Sequence, residues 1–171
     1  SDGQPFTADD FMFWYEDILL NKELTPVFPS WLSVEGKPVV VEKIDDYTVR
    51  FKFSSPYGYF LNRIAMGNET YAPMHYLKQF HPKYVSKEKL DELTKKEGFS
   101  FWYQLFAQKM SWTSNLDVPT IWAWKSITLL SQQYHIAERN PYYWKVDPKG
   151  NQLPYVDKWR RELVSGIDMI I

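Results

Sequence analysis

The sequence of 171 residues contains no cysteine, which excludes disulfide bonds and thiolate chemistry. Glycine is scarce as well: with only 7 glycines and no Gly-rich phosphate loop, a nucleotide-binding site would be hard to build. No apolar run approaches the roughly 20 residues that a membrane-spanning helix needs. The formal net charge is only −1, so the chain has no long-range field that would attract nucleic acid or an anionic membrane.

Motifs of catalysis and of metal binding are also missing. The chain has no Gly-x-Ser-x-Gly motif, and its three histidines, His75, His81 and His135, lack the spacing of zinc ligands. Asp9 and Asp10 lie in the first turn of a predicted helix, where the helix dipole favours carboxylates, so we interpret them as structural. We expect no catalytic residue, no metal and no cofactor. A glycosidase carboxylate pair has no fixed sequence spacing, so that alternative stays open.

Aromatic residues, in contrast, make up 18% of the chain, with 8 Trp, 12 Tyr and 11 Phe. The apolar fraction of 44% predicts a globular core, and part of the aromatic excess must belong to it. Tryptophan can also stack on a sugar ring or clamp an apolar side chain. Trp31 follows two prolines in a predicted loop, and an extended backbone would place Trp122 and Trp124 on one face. These three tryptophans are our candidate ligand-binding residues, with core packing as the alternative for each.

Helix signals recur along the chain. Thr7 and Asp10 form a capping box, and Phe6 and Phe11 a hydrophobic staple, so a helix is predicted to begin at Ala8. Further helices are predicted at 59–66, after Pro73, at 87–97 between a Ser86 cap and Gly98, and from a Ser100 cap through Met110, with Phe101, Leu105 and Phe106 inward.

Strand signals fill the remainder. Alternating polar and apolar residues predict a hairpin of 39–44 and 48–53 around the turn Asp45-Asp46. Residues 127–129 are predicted to pair with 134–138, and 158–164 to form a further strand. The pattern predicts an α+β fold with a small, mostly antiparallel sheet.

Three blocks, in the same order along the chain, resemble the family 5 extracellular solute-binding proteins, the dipeptide- and oligopeptide-binding group. They are residues 2–11, residues 44–51 with the following Pro56 and Phe60, and the Glu-Arg-Asn-Pro-Tyr-Tyr-Trp block at 138–144 with 153–158. The segment 71–124 is longer and richer in tryptophan than in short-peptide binders, and resembles members that carry oligosaccharides. The resemblance covers nearly all of this chain.

The resemblance implies a bilobal, monomeric protein that closes on its ligand by a hinge motion. Such a protein works outside the cytoplasm, in the periplasm or lipid-anchored at the cell surface. It delivers oligosaccharides or peptides to an ABC permease in the membrane, without catalysis and without nucleic acid. Residues 1–171 would form a single subdomain fragment of lobe one, the smaller subdomain, with about 158–171 as a return strand towards the central sheet and hinge.

The chain begins in a turn sequence and ends on the apolar run Met169-Ile170-Ile171, so we expect a piece of something longer. One alternative function is a non-catalytic carbohydrate-binding module of an extracellular enzyme. Such modules are usually β-sandwiches, and the helices predicted between 87 and 110 speak against one. Another alternative is an interaction domain, which a contiguous exposed aromatic patch would favour.

Overall fold

A computed structural model describes residues 1–67 and 70–164 of the chain. The chain divides into two compact units: the first comprises residues 6–85, and the second comprises residues 1–5 together with the chain from residue 86 onward. Each unit combines helices with antiparallel strands, which confirms the predicted α+β class. Within the described residues, no helix combines the length and the apolar character needed to cross a membrane.

The first unit is built from short elements. Its helices and strands are α1 (Ala8–Phe13), a π-helical turn (Trp14–Leu19), a 3-10 turn (Ser30–Leu32), β1 (Ser33–Val34), β2 (Lys37–Pro38), β3 (Val40–Asp45), β4 (Thr48–Lys52), α2 (Phe60–Ala65), α3 (Met74–Leu77) and a second 3-10 turn (Lys78–Phe80). The strands form two separate antiparallel hairpins, β1–β2 and β3–β4.

The start of α1 follows the local signals of the sequence. Asp10 Oδ2 accepts a 2.9 Å hydrogen bond from the backbone N–H of Thr7, and Thr7 Oγ1 accepts from the N–H of Asp9. The rings of Phe6 and Phe11 lie 5.5 Å apart, which completes the staple. The predicted helix start at Ala8 is therefore confirmed.

The predicted β3–β4 hairpin is formed, with Val41 opposite Phe51 and Lys43 opposite Val49. Val41 is buried and joins a core cluster with Leu19, Leu32 and Val39. The smaller β1–β2 hairpin turns through Glu35 and Gly36, whose φ angles of 52° and 74° are both positive, as a type I′ turn requires. This hairpin was not among the predicted strands.

The second unit contains two helices and a three-stranded antiparallel sheet with β6 at its centre. Its elements are α4 (Lys87–Lys96), α5 (Trp102–Met110), β5 (Trp124–Ser126), β6 (Tyr134–Arg139) and β7 (Lys158–Glu162). The cap of α4 is the predicted one, because Ser86 Oγ accepts from the N–H of Lys89. Strand β7 confirms the strand predicted from residue 158, and residues 165–171 of the predicted return strand lie outside the described residues.

Helix α5 begins one residue later than predicted. Gln104 Oε1 accepts hydrogen bonds from the N–H groups of Ser100 and Phe101, so the cap comes from inside the helix rather than from Ser100. Phe101 has the extended backbone of a cap residue and is 54% exposed, so its predicted inward position is wrong. Leu105 and Phe106 are fully buried as predicted.

The first strand of the larger sheet also lies a few residues earlier than predicted. Strand β5 covers Trp124–Ser126, and Ile127 adds one more backbone hydrogen bond to Ile136 O. The next residue, Thr128, ends the ladder because its Oγ1 accepts from Ile136 N at 2.8 Å and donates to Tyr134 O at 2.9 Å. A side chain therefore satisfies the backbone groups that a longer strand would have paired.

Candidate ligand-binding site

Two tryptophans of the second unit form an exposed aromatic pair. Trp112 lies in the turn that follows α5, and Trp122 lies in the loop that precedes β5. Their ring centroids are 5.9 Å apart and their planes are tilted by 49°. Trp112 is 45% exposed and Trp122 is 46% exposed. Two indole faces at this spacing can accept the C–H face of a hexose or a bulky apolar side chain.

Asn140 donates hydrogen bonds to the loop that carries Trp122, and its side chain is completely buried from solvent. The side-chain amide Nδ2 donates to the carbonyl oxygens of Thr120 at 3.2 Å and Trp122 at 2.8 Å. The backbone N–H of Asn140 donates to Ala123 O, and its Oδ1 accepts from the N–H of Tyr142. Asn140 thus donates to three carbonyls of a loop without regular pairing, and the carbonyl of Thr120 also accepts from the backbone nitrogen of Ser1 at 2.8 Å.

Trp124 belongs to a different aromatic cluster. It opens β5, is half-buried, and meets Trp159 of β7 edge-on at 6.3 Å. The backbone bends at Trp122 and Ala123, so the extended stretch that would have placed Trp122 and Trp124 on one face is not formed. The condition for a shared face, an extended backbone from Trp122 to Trp124, is therefore not met. Each of the two rings instead has its own aromatic neighbour.

Trp31, the third candidate, lies in the first unit on the 3-10 turn Ser30–Leu32. It is half-buried, stacks on Phe60 with ring centroids 6.5 Å apart, and packs against the core cluster around Leu32. This packing gives Trp31 a structural role in its unit. A contact between Trp31 and a ligand stays a prediction.

Trp112 was missed by sequence reasoning. It stands between Ser111 and Thr113, directly after a helical segment, and no periodicity or motif distinguishes it from a surface or core tryptophan. Its neighbour Trp122 is separated from it by a stretch with no regular helix or strand. Only the folded loops bring the two rings together.

One contact in the larger sheet has the form of a nucleophile and its base. Ser126 Oγ lies 2.9 Å from His135 Nε2, a distance typical of a catalytic pair. On the other side of the ring, the Arg161 guanidinium lies 3.3 Å from His135 Nδ1. A guanidinium can only donate, so Nδ1 must accept and the ring hydrogen stays on Nε2, which donates to the serine.

A histidine in that tautomer cannot remove the proton from a serine hydroxyl. Burial, and secondarily the positive charge of Arg161, lower the pKa of His135, so the neutral ring is favoured. The imidazole and the ring of Trp159 are also nearly perpendicular, at a centroid distance of 5.0 Å. These contacts favour a structural role for Ser126 and His135 in joining the three strands.

The carboxylate of Asp147, in the loop after the Tyr-Tyr-Trp block, is likewise satisfied by hydrogen bonds from its neighbours. Asp147 Oδ1 accepts from the N–H groups of Lys149 and Asn151, and Asp147 Oδ2 accepts from the hydroxyl of Tyr155 at 2.6 Å. The bonds from Tyr155 and Asn151 hold the pKa of Asp147 well below its usual range. Across residues 1–67 and 70–164, no group of three or more histidines, aspartates or glutamates is placed to hold a metal ion.

The chain has a relative among proteins of known sequence. It is 34% identical over 169 residues to the periplasmic alpha-galactoside-binding protein of Rhizobium meliloti (strain 1021). The match covers 98% of this chain and 22% of that protein.

Two solved structures that resemble this chain are also those of binding proteins. An oligopeptide-binding protein OppA is 47% identical, with a TM-score of 0.88, over 96% of this chain and 26% of that one. The periplasmic binding protein MelB of Agrobacterium fabrum C58, solved in complex with stachyose, is 30% identical with a TM-score of 0.69. That match covers 95% of this chain and 22% of MelB, so the chain spans about a quarter of the length of these relatives.

The sequence profile described as bacterial extracellular solute-binding proteins, family 5 (middle), matches residues 1–164. The three sequence blocks that suggested this family all lie within that range, and the resemblance is confirmed. The family and these relatives are binding proteins by name. The chain belongs to family 5 of the bacterial extracellular solute-binding proteins.

Proposed function

We propose that this chain is part of a substrate-binding protein that captures an oligosaccharide outside the cytoplasm and delivers it to an ABC importer. The observation that carries the proposal is the 34% identity, over 98% of the chain, to a periplasmic alpha-galactoside-binding protein. Family membership also favours this function over a carbohydrate-binding module of an extracellular enzyme.

The exposed pair of Trp112 and Trp122 supports a sugar as the ligand. The C–H groups on one face of a hexose form a flat apolar patch that an indole can cover, while the hydroxyls hydrogen-bond elsewhere. The likeness to MelB, solved with stachyose, points in the same direction. Residues 112 and 122 both lie within the Trp-rich segment whose length set this chain apart from short-peptide binders.

A peptide is the second candidate ligand. The observation that favours it is the 47% identity to an oligopeptide-binding protein with a TM-score of 0.88. The same aromatic pair would then hold a bulky apolar side chain rather than a sugar ring. The two candidates share the site and differ in the chemistry of the ligand.

The remainder of the family expectation belongs to the same proposal. The chain would be a fragment of lobe one of a bilobal, monomeric protein, located in the periplasm or lipid-anchored at the cell surface. Its partners would be the solute and a membrane permease, and not nucleic acid. The protein would catalyse no reaction, in keeping with the tautomer that Arg161 imposes on His135.

Calorimetric titration of the full-length protein that contains this chain tests the proposal. We expect saturable binding of stachyose, an alpha-galactoside, and weaker binding of a glucose-only tetrasaccharide of the same length. A mixture of short peptides serves as the competing ligand class. Saturable binding of peptides with no heat from stachyose would assign the protein to peptides and overturn the sugar proposal.

A further inference from the structure

Asn140 is the exception among the most deeply buried side chains. Within the described residues, the large side chains that are almost inaccessible are aromatic or aliphatic, namely Phe13, Phe106, Leu32, Leu77, Leu105 and Val39, and the one polar member of the group is Asn140. Burying an amide is unfavourable unless its hydrogen-bonding groups are satisfied. Asn140 meets this condition, because its amide donates twice and accepts once.

The hydrogen bonds donated by Asn140 all go to the loop that carries Trp122. The carbonyls of Thr120 and Trp122 receive the side-chain amide, and the carbonyl of Ala123 receives the backbone N–H of Asn140. The peptide groups on both sides of Trp122 are therefore near fixed points of the loop. Since the backbone of a residue sets the direction of its Cα–Cβ bond, these bonds set the direction in which the Trp122 side chain leaves the loop. The Trp122 ring lies beside that of Trp112, with the centroids 5.9 Å apart.

We propose that Asn140 is a positioning residue of the ligand-binding site, which acts by holding Trp122 beside Trp112 so that the two indoles form one stacking face for a hexose. The proposal rests on the proposed function for the identity of the ligand. It assigns to Trp112 a ligand contact that sequence reasoning did not give it. Asn140 itself touches no ligand.

A purely structural role for Asn140 makes a different prediction. In that case its replacement lowers stability and leaves the geometry of the tryptophan pair and the affinity of the folded protein unchanged. Thr94→Val provides the matched control, because Thr94 is a buried polar residue of the same unit whose hydroxyl donates to Leu90 O within α4. It removes a buried hydrogen bond that has no link to the Trp122 loop.

The first measurement needs no ligand. Two indoles close together couple their electronic transitions and give paired circular-dichroism bands of opposite sign in the far ultraviolet. In the full-length protein, the difference that is common to Trp122→Phe and Trp112→Phe, each compared with wild type, gives the contribution of this pair. Asn140→Asp replaces the donating amide nitrogen with an oxygen, which is repelled by the carbonyl oxygens of Thr120 and Trp122. We therefore expect this variant to lose the contribution of the tryptophan pair, and Thr94→Val to keep it.

Asn140→Ala serves as a second variant should the aspartate variant fail to fold, since water can then reach the freed carbonyls. Retention of the full coupling signal in a folded Asn140 variant would overturn the proposal. So would a loss of the same size in Thr94→Val.

The second measurement uses stachyose. We expect the folded Asn140 variant to bind about tenfold more weakly, and Thr94→Val to bind as wild type does. The double variant of Asn140 with Trp122→Phe should bind no more weakly than Trp122→Phe alone, because the asparagine acts through that ring. Additive losses would show that Asn140 acts by another route and would overturn the positioning role.

The two measurements also separate this proposal from the proposed function. If the coupling signal disappears in the Asn140 variant while wild type binds no sugar, the positioning of Trp122 is supported and the sugar ligand is rejected. If wild type binds stachyose and the coupling signal persists in the variant, the function stands and the role of Asn140 is rejected.

Discussion

The carboxylate of Asp17, buried in the π-helical turn, lies 2.8 Å from the ammonium group of Lys83. Tyr84 donates its hydroxyl to the same carboxylate, and His81 Nε2 lies 3.1 Å from the backbone carbonyl of Asp17. The loop 81–84 thus meets one residue of the turn through three side chains. Asp17 is only 5% exposed, and a carboxylate buried to that extent needs hydrogen-bond partners that replace water.

Asp17→Asn should lower the free energy of unfolding by about 1–3 kcal/mol, because a buried charge-assisted hydrogen bond is lost. Urea denaturation of the full-length protein measures the change. Glu16→Gln is the matched control, since Glu16 is exposed and 3.9 Å from the same ammonium, and should change stability by less than about 0.5 kcal/mol. Equal effects of the two variants would contradict a special role for Asp17.

Acid should destabilise the first unit through His81. Burial lowers the pKa of His81, and this outweighs the raising effect of the nearby Asp17 carboxylate. The folded-state pKa therefore lies below the ordinary value, and the unfolded chain binds the proton first. The stability contribution is present above the unfolded pKa of about 6.5 and is lost as the pH falls through the folded value.

The test compares urea denaturation at about pH 7.5 and about pH 5.5 in wild type and in His81→Gln. We expect the variant to lose less stability on acidification than wild type does. His135, whose pKa burial also lowers, contributes in the same direction, so His81→Gln with His135→Gln should show the smallest change. An unchanged pH dependence in the double variant would show that other groups control it.

Trp31→Ala should lower the free energy of unfolding by about 1–3 kcal/mol, because the ring stacks on Phe60 and packs against the core cluster. Trp31→Phe keeps an aromatic ring in that position and should retain most of the stability. Thermal melting measures both variants. If Trp31→Phe melts as wild type does and binds stachyose more weakly, Trp31 also contacts the ligand.

Trp112→Ala should lower the free energy of unfolding by no more than about 1.5 kcal/mol, because the side chain is 45% exposed and its described ring contact is with Trp122. The affinity for stachyose should fall about tenfold, since the stacking face loses one of its two rings. Trp144→Ala is the matched control in the same unit, where Trp144 is 69% exposed and its described ring contacts are with Tyr143 and Lys145. Equal losses of affinity in both variants would argue against a specific site at Trp112.

Several elements were predictable because their causes are local. The Thr7 and Asp10 capping box, the Ser86 cap and the alternation along β3 and β4 depend on residues within a few positions of each other. The predicted ends of helices and strands were wrong where a side chain took the place of a backbone hydrogen-bond partner. Gln104 does so at the start of α5, and Thr128 does so at the end of β5. Such competition depends on geometry that propensity does not encode.

The sequence by itself determined the fold class, the main helices and the family, since local periodicity and three ordered blocks carry that information. Only the tertiary structure decided which tryptophans share a surface. It placed the ring of Trp122 beside that of Trp112. It also brought Asn140, which is 18 positions along the chain from Trp122, within hydrogen-bond distance of the same loop. The physical reason is that the loop has no repeating backbone pattern, so its course is set by hydrogen bonds to a residue that is distant in sequence.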